Sequence, residues 1–295
     1  MTPAGTPAAE VDIDLGLVKA LIENQFPQYA GRRLRPIGSG WDNLMVRLGD
    51  DLLVRLPRRT IAAELSTHEH QWLPKLAPRL PIAVPAPIHV GRPHGRYPWP
   101  WSIVPWLPGK TADQEAPLPG EAARLAEFLA ALHQPAPANA PSNPVRGVPL
   151  ASRADAVDER IERLRQKTGL ITPRLMAIWR AALNASPGAT RQWLHGDLHP
   201  LNIIVQQGQI TGIIDWGDLT GGDPATDLAA LWMLFDASAR DSALAAYGGI
   251  DPELEARAKG WTMLFGTVLL DTGLQDHPRH AAVGAQTLRR LAESP

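Results

Sequence analysis

Apolar and polar residues alternate in two different rhythms along this chain, and the rhythm changes near the middle. Ile13, Leu17, Ala20 and Leu21 recur at helical spacing, which predicts a helix over 12–24 with an Asp at its start. Period-two runs follow at 33–38, 43–48 and 51–56, the first two flanking "GSGWD" and the last two joined by Gly and Asp turn residues. A helix is expected over 61–77, with Leu65, Trp72, Leu73 and Leu76 on or near one face. Two further strand-like pieces lie near 86–90 and 101–106, separated by "GRPHGRYPWP". Beyond a Pro/Gly stretch the pattern becomes helical, with stretches at 120–133, 152–167, 172–185, 224–236, 251–270 and 279–292. A proline-rich loop fills 135–149, and one hairpin, 201–205 and 210–214 joined by "QQGQ", interrupts the helices. The expected organisation is a disordered tail at 1–10, a sheet-rich lobe at 11–107, a linker at 108–119 and a helical lobe at 120–295.

The interrupting hairpin carries the polar chemistry. "WLHGDLHPLNIIV" packs His195, Asp197, His199 and Asn202 between two apolar runs, and "ITGIIDWGD" places Asp215 and Asp218 at the end of the next strand pattern. Antiparallel pairing brings such strand ends side by side. Asn202 and Asp215 are hard oxygen donors suited to Mg²⁺, which takes one or two carboxylates plus phosphate oxygens. Asp197 stays free to accept a proton from a hydroxyl. One base, a metal and little covalent chemistry by the protein is the set that phosphoryl transfer requires. Taken singly, each acid could instead cap a turn.

Composition narrows the classes. A formal net charge of −1 offers no basic field for nucleic acid or a membrane surface. The absence of cysteine excludes disulfides, thiolate chemistry and Cys-based zinc sites. Residues 1–10 lack a basic stretch followed by an apolar one, so a cytoplasmic location is expected, as a monomer or homodimer.

"HGDLHPLNIIV" followed by "GIIDWGD" resembles the signature of the aminoglycoside phosphotransferase family, relatives of the protein kinases, and similar features extend from about residue 33 to 290. The resemblance implies an α+β, protein-kinase-like two-lobe fold, with a small antiparallel-sheet N-lobe and a larger helical C-lobe containing the catalytic hairpin. It implies an ATP- or GTP-dependent kinase of a small-molecule hydroxyl, an antibiotic-resistance class of enzyme. Asp197 is implied as base, Asn202 and Asp215 as Mg²⁺ ligands, His195 as a support of the catalytic loop, and Asp227 as a further support. Asp227 has an alternative as an ordinary first-turn helix acid, and His199 is either structural or a phosphate contact.

For the nucleotide, Gly38, Ser39 and Gly40 would cover the phosphates, although a plain hairpin turn explains this G-x-G equally well. Arg55 stands where kinases place a Lys, with Glu69 as its helix partner and Glu64 as the second choice. "VRLPRR" is similar to the macrolide phosphotransferase branch, and Arg58 and Arg59 could add positive potential. Pro105, Trp106 and Leu107 would meet the base. On the acceptor side Asp218, Asp236 and Asp271 are the candidates, with Asp241 beside them, and the helices near Trp232, Trp261 and Phe265 could line an apolar pocket or form core. Three alternatives stand beside this: a kinase of an ordinary metabolite hydroxyl, of choline or homoserine type; a nucleotide-binding member without catalysis; and a metal hydrolase using His195, Asp197 and His199.

Overall fold

The computed structural model describes residues 8–40, 42–188 and 190–294. Residues 1–7 of the expected tail and Trp41 of the glycine loop lie outside them. Glu10 is engaged: its N–H donates to the Arg58 carbonyl, and its carboxylate accepts from the Thr60 N–H and hydroxyl. The described residues divide into two compact units: Ala8–Pro78 together with Ala83–Pro108, and Arg79–Ile82 together with Gly109 onward.

The first unit contains helix α1 (Leu15–Gln25), strands β1 (Leu34–Ser39), β2 (Asn43–Leu48) and β3 (Leu52–Pro57), helix α2 (Thr60–Leu76), and strands β4 (His89–Gly91) and β5 (Trp101–Pro105). The sheet is antiparallel in the order β1-β2-β3-β5-β4. Asp14 starts α1 by accepting the Leu17 N–H at 2.7 Å. Leu17, Val18, Leu21 and Ile22 of α1 pack into one cluster with Val46, Val54, Leu56 and Trp101 of the sheet. Strand alternation then decides the placement of the polar residue: Leu52, Val54 and Leu56 face this cluster, and Arg55 between them points to the other face. β4 is shorter than the expected 86–90 because Pro85 and Pro87 have no N–H to give a ladder.

The second unit contains β6 (Lys110–Thr111), α3 (Glu121–Leu132), α4 (Ala154–Lys167), α5 (Pro173–Asn184), β7 (Gln192–Leu194), β8 (Ile203–Gln206), β9 (Gln209–Ile213), β10 (Thr220–Gly222), α6 (Ala225–Leu234), α7 (Ala237–Tyr247), α8 (Pro252–Asp276) and α9 (Pro278–Glu293). The expected hairpin is β8–β9, turning at Gln207 and Gly208, both with positive φ. It gains β6 as a third strand, and β7 pairs with β10. Every residue of α6 is buried, so this helix forms the axis of the unit. Pro224 and Asp223 begin it, and Phe235 turns extended to end it, two residues before the expected end. Among the described residues no helix is long and apolar enough to cross a membrane.

Candidate functional site

The polar segment 195–202 runs from the end of β7 to the start of β8, and its backbone is tied down at each step. The Asp197 N–H donates to His195 Nδ1 at 3.2 Å, so His195 Nε2 carries the proton and donates to the Ile214 carbonyl at 2.9 Å. The His195 ring is buried against Trp216, 4.7 Å between centroids. Gly196 has φ +88, and a Cβ there would meet the Asp218 carbonyl at 2.4 Å, so only glycine fits. His199 Nδ1 accepts the Leu201 N–H, which starts a 3-10 turn over Pro200–Asn202. The β8–β9 register pairs Ile203 with Ile213, and the Ile214 N–H donates to the Asn202 carbonyl at 2.9 Å. Asn202 and Asp215 therefore sit at adjacent strand ends.

Asp227, in the first turn of α6, is fully buried. Its carboxylate accepts the His195 N–H at 2.7 Å, the Gly196 N–H at 2.9 Å and His133 Nε2 at 3.3 Å. His133 Nδ1 in turn lies 2.8 Å from the Tyr247 hydroxyl, whose pKa burial, then Asp227 and Asp223, push upward. Asp223 makes a second buried pair, with Arg257 Nε at 2.7 Å, and accepts the Ala225 N–H at 3.1 Å.

Asp197 presents a quarter-exposed carboxylate between an arginine and a histidine. Arg146 Nη2 donates to Oδ1, and His199 Nε2 lies 3.3 Å from Oδ2. Burial alone would raise its pKa; Arg146 first, then His199 and His195, outweigh burial and hold the carboxyl far below the ordinary range. Arg146 also donates from Nε to Asp218 Oδ2 at 3.3 Å, and Asn143 Nδ2 donates to Asp218 Oδ1 at 2.7 Å.

The donor set at the strand ends fits a hard divalent cation. The Asn202 amide nitrogen donates to the Asp197 carbonyl at 2.9 Å, and among the described residues nothing donates to its Oδ1. Asp215 is exposed, has φ 65 and ψ 70, and its carboxylate caps nothing. A non-glycine residue in this left-handed region costs about 1 kcal/mol or more and persists where its surroundings enforce it. Among the described residues no three His, Cys, Asp or Glu gather as a metal cluster. One carboxylate and one amide oxygen are hard donors of the kind that a cation such as Mg²⁺ takes alongside phosphate oxygens.

In the sheet unit Arg55 Nη1 pairs with Glu69 Oε1, both side chains nearly buried, while Glu64 is exposed. His70 beside them is pushed down to about 4 by burial and then by the Arg55 charge. Gly38 has φ +155 beside a bulge in β1, Ser39 ends that strand, and the Gly40 N–H closes onto the Asn43 carbonyl at 2.9 Å. Arg58 donates to the Gly40 carbonyl and Arg59 to Asp42. Of the 105–108 stretch, Pro105 and Pro108 have no N–H, and the Trp106 N–H donates to the Asp51 carbonyl at 2.8 Å. Leu107 is left with an N–H that nothing among the described residues accepts. The Trp106 ring is covered by the Arg47 guanidinium, 3.8 Å from its centroid.

The remaining acids have structural duties. Asp236 caps α7 by accepting the Ala239 N–H at 2.9 Å. Asp271 is buried on α8, with Arg163 donating to it at 2.7 Å. Trp232, Trp261 and Phe265 are buried core residues. Sequence reasoning passed over His133 and Arg146. His133 ends a helix 94 residues before Asp227, and Arg146 lies in a loop without periodicity.

The profile of the phosphotransferase enzyme family matches residues 33–261. Viomycin phosphotransferase of Streptomyces vinaceus is 35% identical over 75 residues, 24% of this chain and 26% of that protein. The curated relatives are matched over 14% and 26% of their own lengths. Among solved structures, the GDP complex of aminoglycoside 2'-phosphotransferase-IIIa is similar with a TM-score of 0.64 at 21% identity, over 93% of this chain and 97% of that one. The apoenzyme of macrolide 2'-phosphotransferase MphH from Brachybacterium faecium gives 0.59 at 24%, over 93% and 97%. These likenesses show a shared kinase-like fold.

Proposed function

The chain belongs to the phosphotransferase enzyme family, and from that premise we propose that it transfers the γ-phosphate of ATP or GTP to a hydroxyl of an antibiotic-like acceptor, an aminoglycoside or a macrolide. The observation that carries this reading is the pair of adjacent strand ends: Asn202, whose Oδ1 is unpartnered among the described residues and whose amide nitrogen holds the Asp197 carbonyl, and Asp215, whose carboxylate caps nothing, flank the paired Ile203 and Ile213–Ile214.

Asp197 accepts the proton of the acceptor hydroxyl as the acceptor oxygen bonds to the γ-phosphorus. The bond from that phosphorus to the bridging oxygen breaks, and the nucleoside diphosphate leaves. Asn202 and Asp215 would hold Mg²⁺, which would supply positive charge to offset that of the phosphate oxygens. His195 and Asp227 fix the backbone that carries Asp197, and His199 orients its carboxylate. Arg55, steadied by Glu69, grips nucleotide phosphate as a planar, always charged donor. Gly38, Ser39 and Gly40 cover the phosphates, and the base meets the Leu107 N–H.

A second reading concerns the acceptor. Asp236 caps a helix and Asp271 pairs with Arg163, while Asp218 shares Arg146 with Asp197 and is the candidate carboxylate beside it. Few free carboxylates favour an acceptor of low positive charge, a macrolide or a small amino-alcohol metabolite, over a polycation.

The test is Mg²⁺-dependent phosphate transfer from ATP and from GTP across aminoglycosides, macrolides and amino alcohols, beside Asp197→Asn. Transfer to one class that falls about 10²-fold or more in the variant, with nucleotide affinity kept, is expected. Failure to bind either nucleotide would sink the reading.

A further inference from the structure

Arg146 belongs to none of the roles above, yet its guanidinium bridges Asp197 and Asp218. It also lies over the Phe265 ring, 5.0 Å from the centroid. Its loop is built to present it. Asn143 Oδ1 accepts the Val145 and Arg146 N–H groups at 2.9 and 3.1 Å, while its amide nitrogen holds Asp218. The loop is pinned on both sides. The Pro141 carbonyl accepts from the Gly221 N–H and the Thr220 hydroxyl, both at 3.0 Å, and the Gly147 carbonyl accepts the Asp223 N–H at 3.0 Å. A Cβ on Gly147, which has φ +65, would meet Leu194 Cδ1 at 2.7 Å. The backbone is therefore held, and the long Arg146 side chain is the part free to change partner.

Resting on the phosphotransferase reading, we propose that Arg146 is a positioning residue that occupies Asp197 until an acceptor arrives, and so suppresses hydrolysis of the bound nucleotide by water. With Arg146 on Oδ1 and His199 at Oδ2, both Asp197 oxygens already have an N–H partner. An entering acceptor hydroxyl takes the Oδ1 position. Arg146 keeps Asp218 and the Phe265 ring when it yields, so the exchange exposes no unpaired charge. Water alone makes no compensating contacts and does not displace it. The suppressed reaction is balanced: the water oxygen bonds to the γ-phosphorus, the bridging P–O bond breaks, and the water proton passes to Asp197, giving nucleoside diphosphate and inorganic phosphate.

The measurement is acceptor-free release of inorganic phosphate from Mg·ATP and Mg·GTP by the wild-type chain, Arg146→Gln, Arg146→Lys and the double variant Arg146→Gln/Asp197→Asn, each checked for a wild-type melting profile. Arg146→Gln should raise hydrolysis about fivefold and lower the acceptor KM by a similar factor, the range of one partly exposed ion pair. Arg146→Lys, which keeps the charge but reaches one carboxylate, should fall between, and the double variant should lose the gain. A side chain that merely stabilised the loop would lower transfer and hydrolysis together. Hydrolysis at or below the wild-type rate in both single variants, with acceptor transfer intact in the wild type, would overturn the gate alone. A wild-type chain that neither transfers nor hydrolyses would overturn the phosphotransferase reading, and the gate with it.

Discussion

Asp227 accepts the backbone N–H of His195 at 2.7 Å from a carboxylate that has no exposure to solvent. The same carboxylate takes the Gly196 N–H, so two amides that β7 and β8 cannot satisfy end on one side chain of α6. Asp227→Ala leaves both donors buried without an acceptor. Chemical denaturation should read a loss of about 3 kcal/mol or more, and transfer should fall with it. Asp227→Asn keeps one acceptor oxygen and should lose less.

Asp215 separates stability from activity. Its φ of 65 is a cost that a glycine does not bear. Asp215→Gly should raise stability by about 0.5–1 kcal/mol while abolishing Mg²⁺-dependent transfer. A calorimetric melt beside an activity assay separates the two effects; a variant that melts lower would show that the strain relieved is smaller than the entropy that glycine gives the unfolded chain.

His70 gives the sheet unit a pH dependence. Its folded pKa, about 4, lies below the ordinary 6.5, so between these values the unfolded chain binds the proton and the folded one does not. Its contribution is complete above about pH 6.5, declines as pH falls toward 4 and is gone below. The decline should amount to on the order of 2 kcal/mol in denaturant titrations at pH 7 and pH 4.5, and His70→Gln should flatten it.

Leu107 is the backbone donor that two prolines and the Trp106–Asp51 bond leave in its stretch. Leu107→Pro should weaken ATP and GTP binding by about 3- to 10-fold, the range of one hydrogen bond, and Leu107→Ala should not. Equal affinities for both variants by titration calorimetry would remove the base from this position.

The order of sheet elements followed by helices was legible because alternation and helical stripes are local signals, as in Leu52, Val54 and Leu56 around Arg55. The closeness of Asn202 and Asp215 was legible for the same reason, since the "QQGQ" turn fixes the register of both strands. Helix α7 was not, because "ASARDSALAAY" is mostly small and polar and buries few residues. β6, β7 and β10 are two or three residues long, too short for any period to show. Arg146 reaches Asp197 across 51 residues, and no spacing rule in a proline-rich loop encodes such a contact. Asp271 shows the converse: an acid beside an apolar run looked available, but its arginine partner lies 108 residues away in α4.

Helix α6 has no wet face. Local fraying therefore has nowhere to begin on it, and the Asp227 carboxylate moves only when the surrounding core does. The His195 and Gly196 amide protons that end on that carboxylate should exchange with deuterated solvent only through opening of the whole helical unit, as slowly as the amides at the centre of α8. The segment carrying Asp197 would then share the lifetime of the hydrophobic interior, although it is a loop by every local measure.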